Sequence, residues 1–154
     1  MGDSTRDIEL VKAFAKRSIS DLHSAKSLLD SGDYADSAYH AQQCAEKIVK
    51  CVLILKGNFL RTHMTSGLFS EVVEDLKNNE WKQKLENLIP EMISLERHWI
   101  LPRYPEPDGD TIWNPVDEYT KSDAKDAIEK AEFVFKTLKE FMKEVYEVEV
   151  EIRK

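Results

Sequence analysis

AYHAQQCAEKIVKCVLILKG, residues 38–57, carries Ala38, Ala41, Ala45, Ile48, Val52 and Leu55 at three- and four-residue steps. That spacing puts them on one face of an α-helix. The small side chains of Ala38, Ala41, Cys44 and Ala45 let a neighbour approach closely, which places this helix near the centre of a bundle. Asp33 and Asp36 offer capping oxygens at its start, and Gly57 a left-handed stop at its end. Cys44 and Cys51, seven residues apart on the helix, have Cα atoms about 10 Å apart at ~1.5 Å rise per residue. That exceeds disulfide reach, so both are expected as reduced core residues.

Upstream, Ile8, Val11, Ala15, Ile19, Leu22, Ala25 and Leu29 repeat at helical steps and predict a first helix from about Ser4 to Ser31, ended by Gly32. Downstream, residues 58–65 read as a polar loop, and residues 67–77 as a short helix carrying Leu68, Val72, Val73 and Leu76. Residues 81–99 form the next helix, which Pro90 kinks or divides. LPRYPEPDGDTIWNP, residues 101–115, holds four prolines and a glycine and is expected to contain no regular element. Ser122 caps the final helix, with Asp123 and Asp126 in its first turn. Ala124, Ile128, Ala131, Phe135, Leu138, Met142 and Val145 line its buried face. The tail YEVEVEIRK frays or extends that helix towards a partner. The expected fold is one all-α domain over residues 1–154, with a core at about 5–145: an up-and-down antiparallel bundle of four main helices plus a short fifth.

The composition suits long amphipathic helices, with 42% hydrophobic and 33% charged residues but only five Gly and five Pro. A formal charge of −7 opposes long-range attraction to phosphate backbones, so any nucleic-acid contact must be local. No apolar run approaches the ~20 residues that cross a bilayer, and MGDSTRDIELVKAF, residues 1–14, lacks a basic start and an apolar signal core. A cytoplasmic protein is expected. None of His23, His40, His63 or His98 has a Glu three residues before it, as a di-iron bundle requires. HExxH, CxxC, GxSxG and glycine-rich phosphate loops are also missing. The expectation is no metal and no cofactor.

Four stretches together carry a family resemblance. Residues 38–57, with small residues, paired glutamines and Glu46-Lys47 before the apolar run, resemble the signature helix of HEPN domains. Arg61-Thr62-His63 is similar to the family's Arg-Thr-His turn, Arg103-Tyr104-Pro105 to its Arg-Tyr-Pro loop, and DAKDAIEKAEFVFKTLKEFM, residues 123–142, to its last helix. The resemblance spans about residues 5–145. It implies a helical bundle that commonly dimerises, binds nucleotides or RNA, and is often paired with a small nucleotidyltransferase in toxin–antitoxin-like systems.

Many members of that family are metal-independent ribonucleases with an Arg-x4-6-His motif near the start of the last core helix, where the His works as acid/base and the Arg stabilises the phosphorane. This sequence departs from the pattern, because no His follows His98. Arg17 and His23 have the spacing, but on the first helix they stand roughly 120° apart.

The candidate phosphate-binding residues are therefore Arg61 and His63 in one loop and Arg103 and Tyr104 in the other. A guanidinium fork fits phosphate oxygens, and an aromatic face stacks a base. Tyr104 as a plug between Pro102 and Pro105 is the competing reading. Arg97, His98 and Arg103 form the positive cluster of a generally acidic chain. His40 and Lys47, taken as lying one face apart, read as a polar edge. The leading expectation is a homodimeric, non-catalytic nucleotide-binding module that docks a nucleotidyltransferase. The alternatives are a metal-independent endoribonuclease using His63 with Arg61 or Arg103, and a helical protein-interaction adaptor.

Overall fold

The apolar spacing upstream of Gly32 becomes helix α1, Ser4–Ser31, and the quoted stretch becomes α2, Tyr34–Leu55, in a computed structural model that describes residues 4–57 and 65–151. Gly32 turns the chain between them at φ +84°, a region L side chains rarely adopt. The helices run antiparallel. Ser18 Oγ donates to the Cys44 carbonyl and Ser37 Oγ to the Ala25 carbonyl, both at 2.7 Å, so two buried hydroxyls are satisfied within the interface. Ala38, Ala41, Ala45, Ile48 and Val52 are buried, as their stripe predicts. Cys44 and Cys51 are free and buried, and burial pushes both thiols up to about 12, which leaves them poor nucleophiles. Asp33 takes the N-cap position of α2 without a side-chain capping bond; its carboxylate accepts from Ser31 Oγ at 2.7 Å instead.

The polar loop expected over residues 58–65 lies outside the described residues except for Thr65, which is buried. Helix α3 spans Ser66–Glu74, shorter than predicted. The following helix is divided into α4, Asn79–Glu86, and α5, Ile89–Glu96, with a 3-10 turn over Arg97–Trp99. Pro90 lies in the first turn of α5, where its missing N–H would have had no intrahelical partner.

Residues 101–115 depart from the expectation of no regular element. Strands β1, Glu106–Asp108, and β2, Thr111–Trp113, pair antiparallel with Pro107 opposite Ile112. Gly109 at φ +60° is the first of the two turn residues, the place where a type II′ hairpin requires glycine. A short helix α6, Pro115–Glu118, leads to α7, Lys121–Tyr146. The cap of α7 is Thr120 rather than Ser122. Asp123 N–H donates to Thr120 Oγ1 at 3.1 Å, and Thr120 N–H donates to Asp123 Oδ2 at 2.8 Å, a reciprocal capping box.

Trp81 packs edge to face on Phe141 with centroids 5.3 Å apart, and Lys130 Nζ donates to Ser94 Oγ at 2.8 Å. These contacts run α4 and α5 antiparallel to α7. Helix α2 is central, packing against α1, α7, α5 and α3. The result is the expected all-α up-and-down bundle, its third leg broken into pieces. The described part of the tail, to residue 151, does not extend α7: the chain turns at Glu147, and Val148 and Val150 are buried in the core cluster.

Candidate functional site

Arg103 follows a turn in which its N–H donates to the Ile100 carbonyl at 3.1 Å, beside buried Pro102. Its guanidinium carbon lies 4.4 Å from the ring centre of Trp99, 5.5 Å from that of Tyr104 and 5.8 Å from that of Tyr39. Three aromatic faces from α2, the 3-10 turn and the loop thus hold one cation by cation–π attraction. Arg103 is exposed and makes no ion pair among the described residues. Tyr104 is 60% exposed, so it is no plug of the bundle end; it belongs to the Arg103 cage. Arg61 and His63, the other two expected phosphate contacts, lie outside the described residues.

His98 does not add to the positive cluster. It is buried, and burial together with neighbouring Arg97 pushes its ring down to about 4, so it is neutral near pH 7. Arg97 Nε–H donates to His98 Nε2 at 3.4 Å, which assigns the lone pair to Nε2 and the proton to Nδ1. Nδ1 therefore donates to Tyr119 Oη at 2.7 Å. Tyr119 is buried, which pushes its hydroxyl up to about 12, and its ring meets Trp113 of β2 at 6.2 Å. This chain of contacts ties the hairpin and α6 to the bundle and so fixes the loop that carries Arg103. Positive charge at this end comes from Arg97 and Arg103.

Sequence reasoning missed Asp21. This carboxylate, 1% exposed on α1, accepts from His40 Nδ1 at 3.0 Å through Oδ1 and from Lys47 Nζ at 2.6 Å through Oδ2. Burial alone would raise its carboxyl, but the hydrogen bonds from His40 and Lys47, with the charges of Lys47 and Arg17, outweigh that and hold it below its ordinary value. The expectation that His40 and Lys47 lie one face apart is corrected. Seven residues on a helix bring them back to the same face, and both reach Asp21. Lys47 also donates to Gln43 Oε1 at 2.9 Å, Gln43 Nε2 donates to Gln42 Oε1 at 2.8 Å, and Gln42 Nε2 donates to Glu46 at 3.4 Å. Asp21 shares the α2-facing side of α1 with Ser18 and Ala25, three and four residues away, but a single carboxylate in that stripe does not mark a buried role.

The Asp21 network and the Arg103 cage adjoin. Tyr39 meets the His40 ring edge to face at 5.4 Å and lies under Arg103. Arg17 and His23 are not brought together as a pair: both are exposed, and Arg17 turns to Asp21 at 3.8 Å. No group of three or more His, Cys, Asp or Glu among the described residues could hold a metal ion.

A family model described as "HEPN domain" matches residues 11–141. The chain is 50% identical over 147 residues, 95% of its length and 97% of the relative's, to a Methanocaldococcus jannaschii protein named "Putative toxin MJ1304". Among solved structures, TT1696 from Thermus thermophilus is similar with a TM-score of 0.70 and 25% identity, over 84% of this chain and 96% of that one. ST0689, described as an archaeal HEPN homologue, is similar with a TM-score of 0.64 and 26% identity, over 86% and 97%.

Proposed function

The chain belongs to the HEPN domain family, and from that premise we propose that it is a nucleotide-binding module of a toxin–antitoxin-like pair, with Arg103 as its phosphate contact. The observation that supports this is the cage. Tyr39, Trp99 and Tyr104 hold an exposed guanidinium that spends none of its N–H groups on a described carboxylate, so its fork is open to phosphate oxygens. Tyr104, largely exposed beside it, offers a face to a base. Arg61 and His63 complete the phosphate contacts in this reading. The partner is a small nucleotidyltransferase, and the module works as a homodimer. Ile93, Ile112 and Val116 support an interface, being 57%, 64% and 81% exposed on α5, the hairpin and α6.

The test is ATP titration followed by thermal unfolding. A ligand that binds only the folded state stabilises it by mass action, by roughly 2.7 kcal/mol at a hundred times its Kd. ATP is expected to raise the Tm, and Arg103→Ala is expected to abolish most of the rise while leaving the unliganded Tm nearly unchanged, because the side chain is exposed. A Tm unmoved at millimolar ATP would overturn the reading.

A further inference from the structure

The tail beyond α7 carries the burial pattern of a strand that has no neighbour. Val148 and Val150 are buried while Glu149 and Glu151 are exposed, the period-two alternation of a strand laid on a surface. The Val148 N–H donates to the Met142 carbonyl, but the main-chain groups of Glu149, Val150 and Glu151 make no hydrogen bond among the described residues. Buried main-chain groups are nearly always paired, and Val150 is only 7% exposed.

A cleft of about 680 Å³ lies beside these groups, bordered by residues 149–151 on one side and by α1 from Lys12 to Ser20 on the other. Its size falls within the roughly 300–1,000 Å³ of ligand pockets. Buried Ala15, Ile19 and Val150 give it an apolar lining. The charges around it do not balance. Arg17 turns to Asp21 at 3.8 Å and Glu149 to Lys143 at 3.6 Å. Lys12 and Lys16, one helical turn apart on α1, and Glu151 have no ion-pair partner among the described residues. Two uncommitted cations therefore face one uncommitted carboxylate.

We propose that this cleft accepts an extended segment of a protein partner as an added strand, with alternate apolar side chains on Ala15 and Ile19 and one acidic side chain at Lys12 and Lys16. Strand addition gives residues 149–151 the main-chain partners they lack. A small amphiphilic anion would meet the lysines but leave the row of main-chain groups unpaired. The tail of a second copy would bring Glu147, Glu149 and Glu151 against the same carboxylates, and like charges across a strand pair are destabilising. A partner strand with a single acid answers the unpaired main chain, the apolar lining and the charge excess together. The inference is independent of the nucleotide reading.

The experiment is calorimetric titration of the full chain with the blocked peptide acetyl-Thr-Val-Glu-Val-Thr-amide and its Lys-centred counterpart, joined to amide hydrogen exchange of the tail. The Glu peptide is expected to bind about tenfold more tightly, the scale of exposed charge pairs made rather than reversed. It is also expected to slow exchange at residues 149–151, because pairing protects their amides. Lys12→Glu/Lys16→Glu, at two exposed positions, is expected to invert the preference. Absence of binding by the Glu peptide, equal affinities, or a preference unchanged in the double variant overturns the inference. Binding without slowed exchange assigns the cleft to anionic amphiphiles instead. An oligomer that the peptide dissociates, read by light scattering, assigns it to a second copy; either result also overturns the proposal.

Discussion

Lys47 Nζ sits 2.6 Å from Asp21 Oδ2 across the α1–α2 interface, the shortest ion pair among the described residues. The carboxylate is 2% exposed in its side chain and the ammonium 16%, so the pair is screened little by water. Removing one partner of such a pair leaves the other uncompensated, at a cost of about 3 kcal/mol. Asp21→Asn is expected to lower the urea midpoint accordingly. The double variant Asp21→Asn/Lys47→Met is expected to cost less than the two single losses combined, because no stranded charge remains. Asp21 is held below its ordinary carboxylate value in the folded chain, so its contribution is present at neutral pH and lost as the pH falls through the folded value. The gap between Asp21→Asn and the unmodified chain should therefore close only in acid, below roughly pH 4.

His98 gives a second pH dependence in a different window. Unfolded, its ring takes up a proton near 6.5; folded, burial delays that to about 4. Between those values the unfolded chain binds more protons, so stability is full above about 6.5 and falls as the solution is acidified, by roughly 3 kcal/mol once pH 4 is reached. Urea melts at pH 7, 5.5 and 4.5 check this. His98→Gln is expected to be less stable at pH 7 but to show a much flatter profile across that interval. A profile as steep as that of the unmodified chain would mean that another group carries the linkage.

The elements bounded by strong local punctuation were legible in the sequence. Helices α1 and α2 end where Gly32 and Gly57 stand, and the third leg divides at Pro90, because glycine and proline act on the backbone regardless of tertiary context. The hairpin was not legible. Its strands are three residues long and almost wholly exposed, so no apolar alternation marks them, and the cue was only Gly109-Asp110 at the turn. At the site, Arg103 with Tyr104 was readable as a local pair, but Tyr39 and Trp99 reach it from other elements. Asp21 was hidden for the same reason: its partners lie 19 and 26 residues away, and a lone carboxylate on a helix does not announce a buried role.

The start of α7 separates two adjacent hydroxyl residues. Thr120 Oγ1 accepts the Asp123 N–H at 3.1 Å, whereas Ser122 lies inside the first turn and is exposed. Loss of a side-chain cap costs about 1 kcal/mol. Thr120→Ala is expected to lose that amount and Ser122→Ala close to nothing, as read from chemical unfolding midpoints. The reverse order would place the cap at Ser122 after all.

The other end of α7 stores a small strain. Glu147 adopts φ 56° and ψ 31°, the left-handed conformation, and among the described residues it is the only one other than glycine at positive φ. Its N–H donates to the Lys143 carbonyl at 3.1 Å, and the Val148 N–H donates to the Met142 carbonyl at 3.0 Å, so the turn satisfies carbonyls at the helix end while sending the tail back. Val148 and Val150 are then buried, which explains why the chain tolerates the conformation: their burial favours the turn that Glu147 must make. A side chain in this region costs about 1 kcal/mol, and glycine avoids the clash while losing some of the benefit through a more flexible unfolded chain. Glu147→Gly is therefore expected to raise stability by roughly 0.5 kcal/mol, and Glu147→Val, branched at Cβ, to lower it by more than that. Paired urea melts measure both. A stabilising Val with a destabilising Gly would show that the turn is held by something other than the backbone geometry of residue 147.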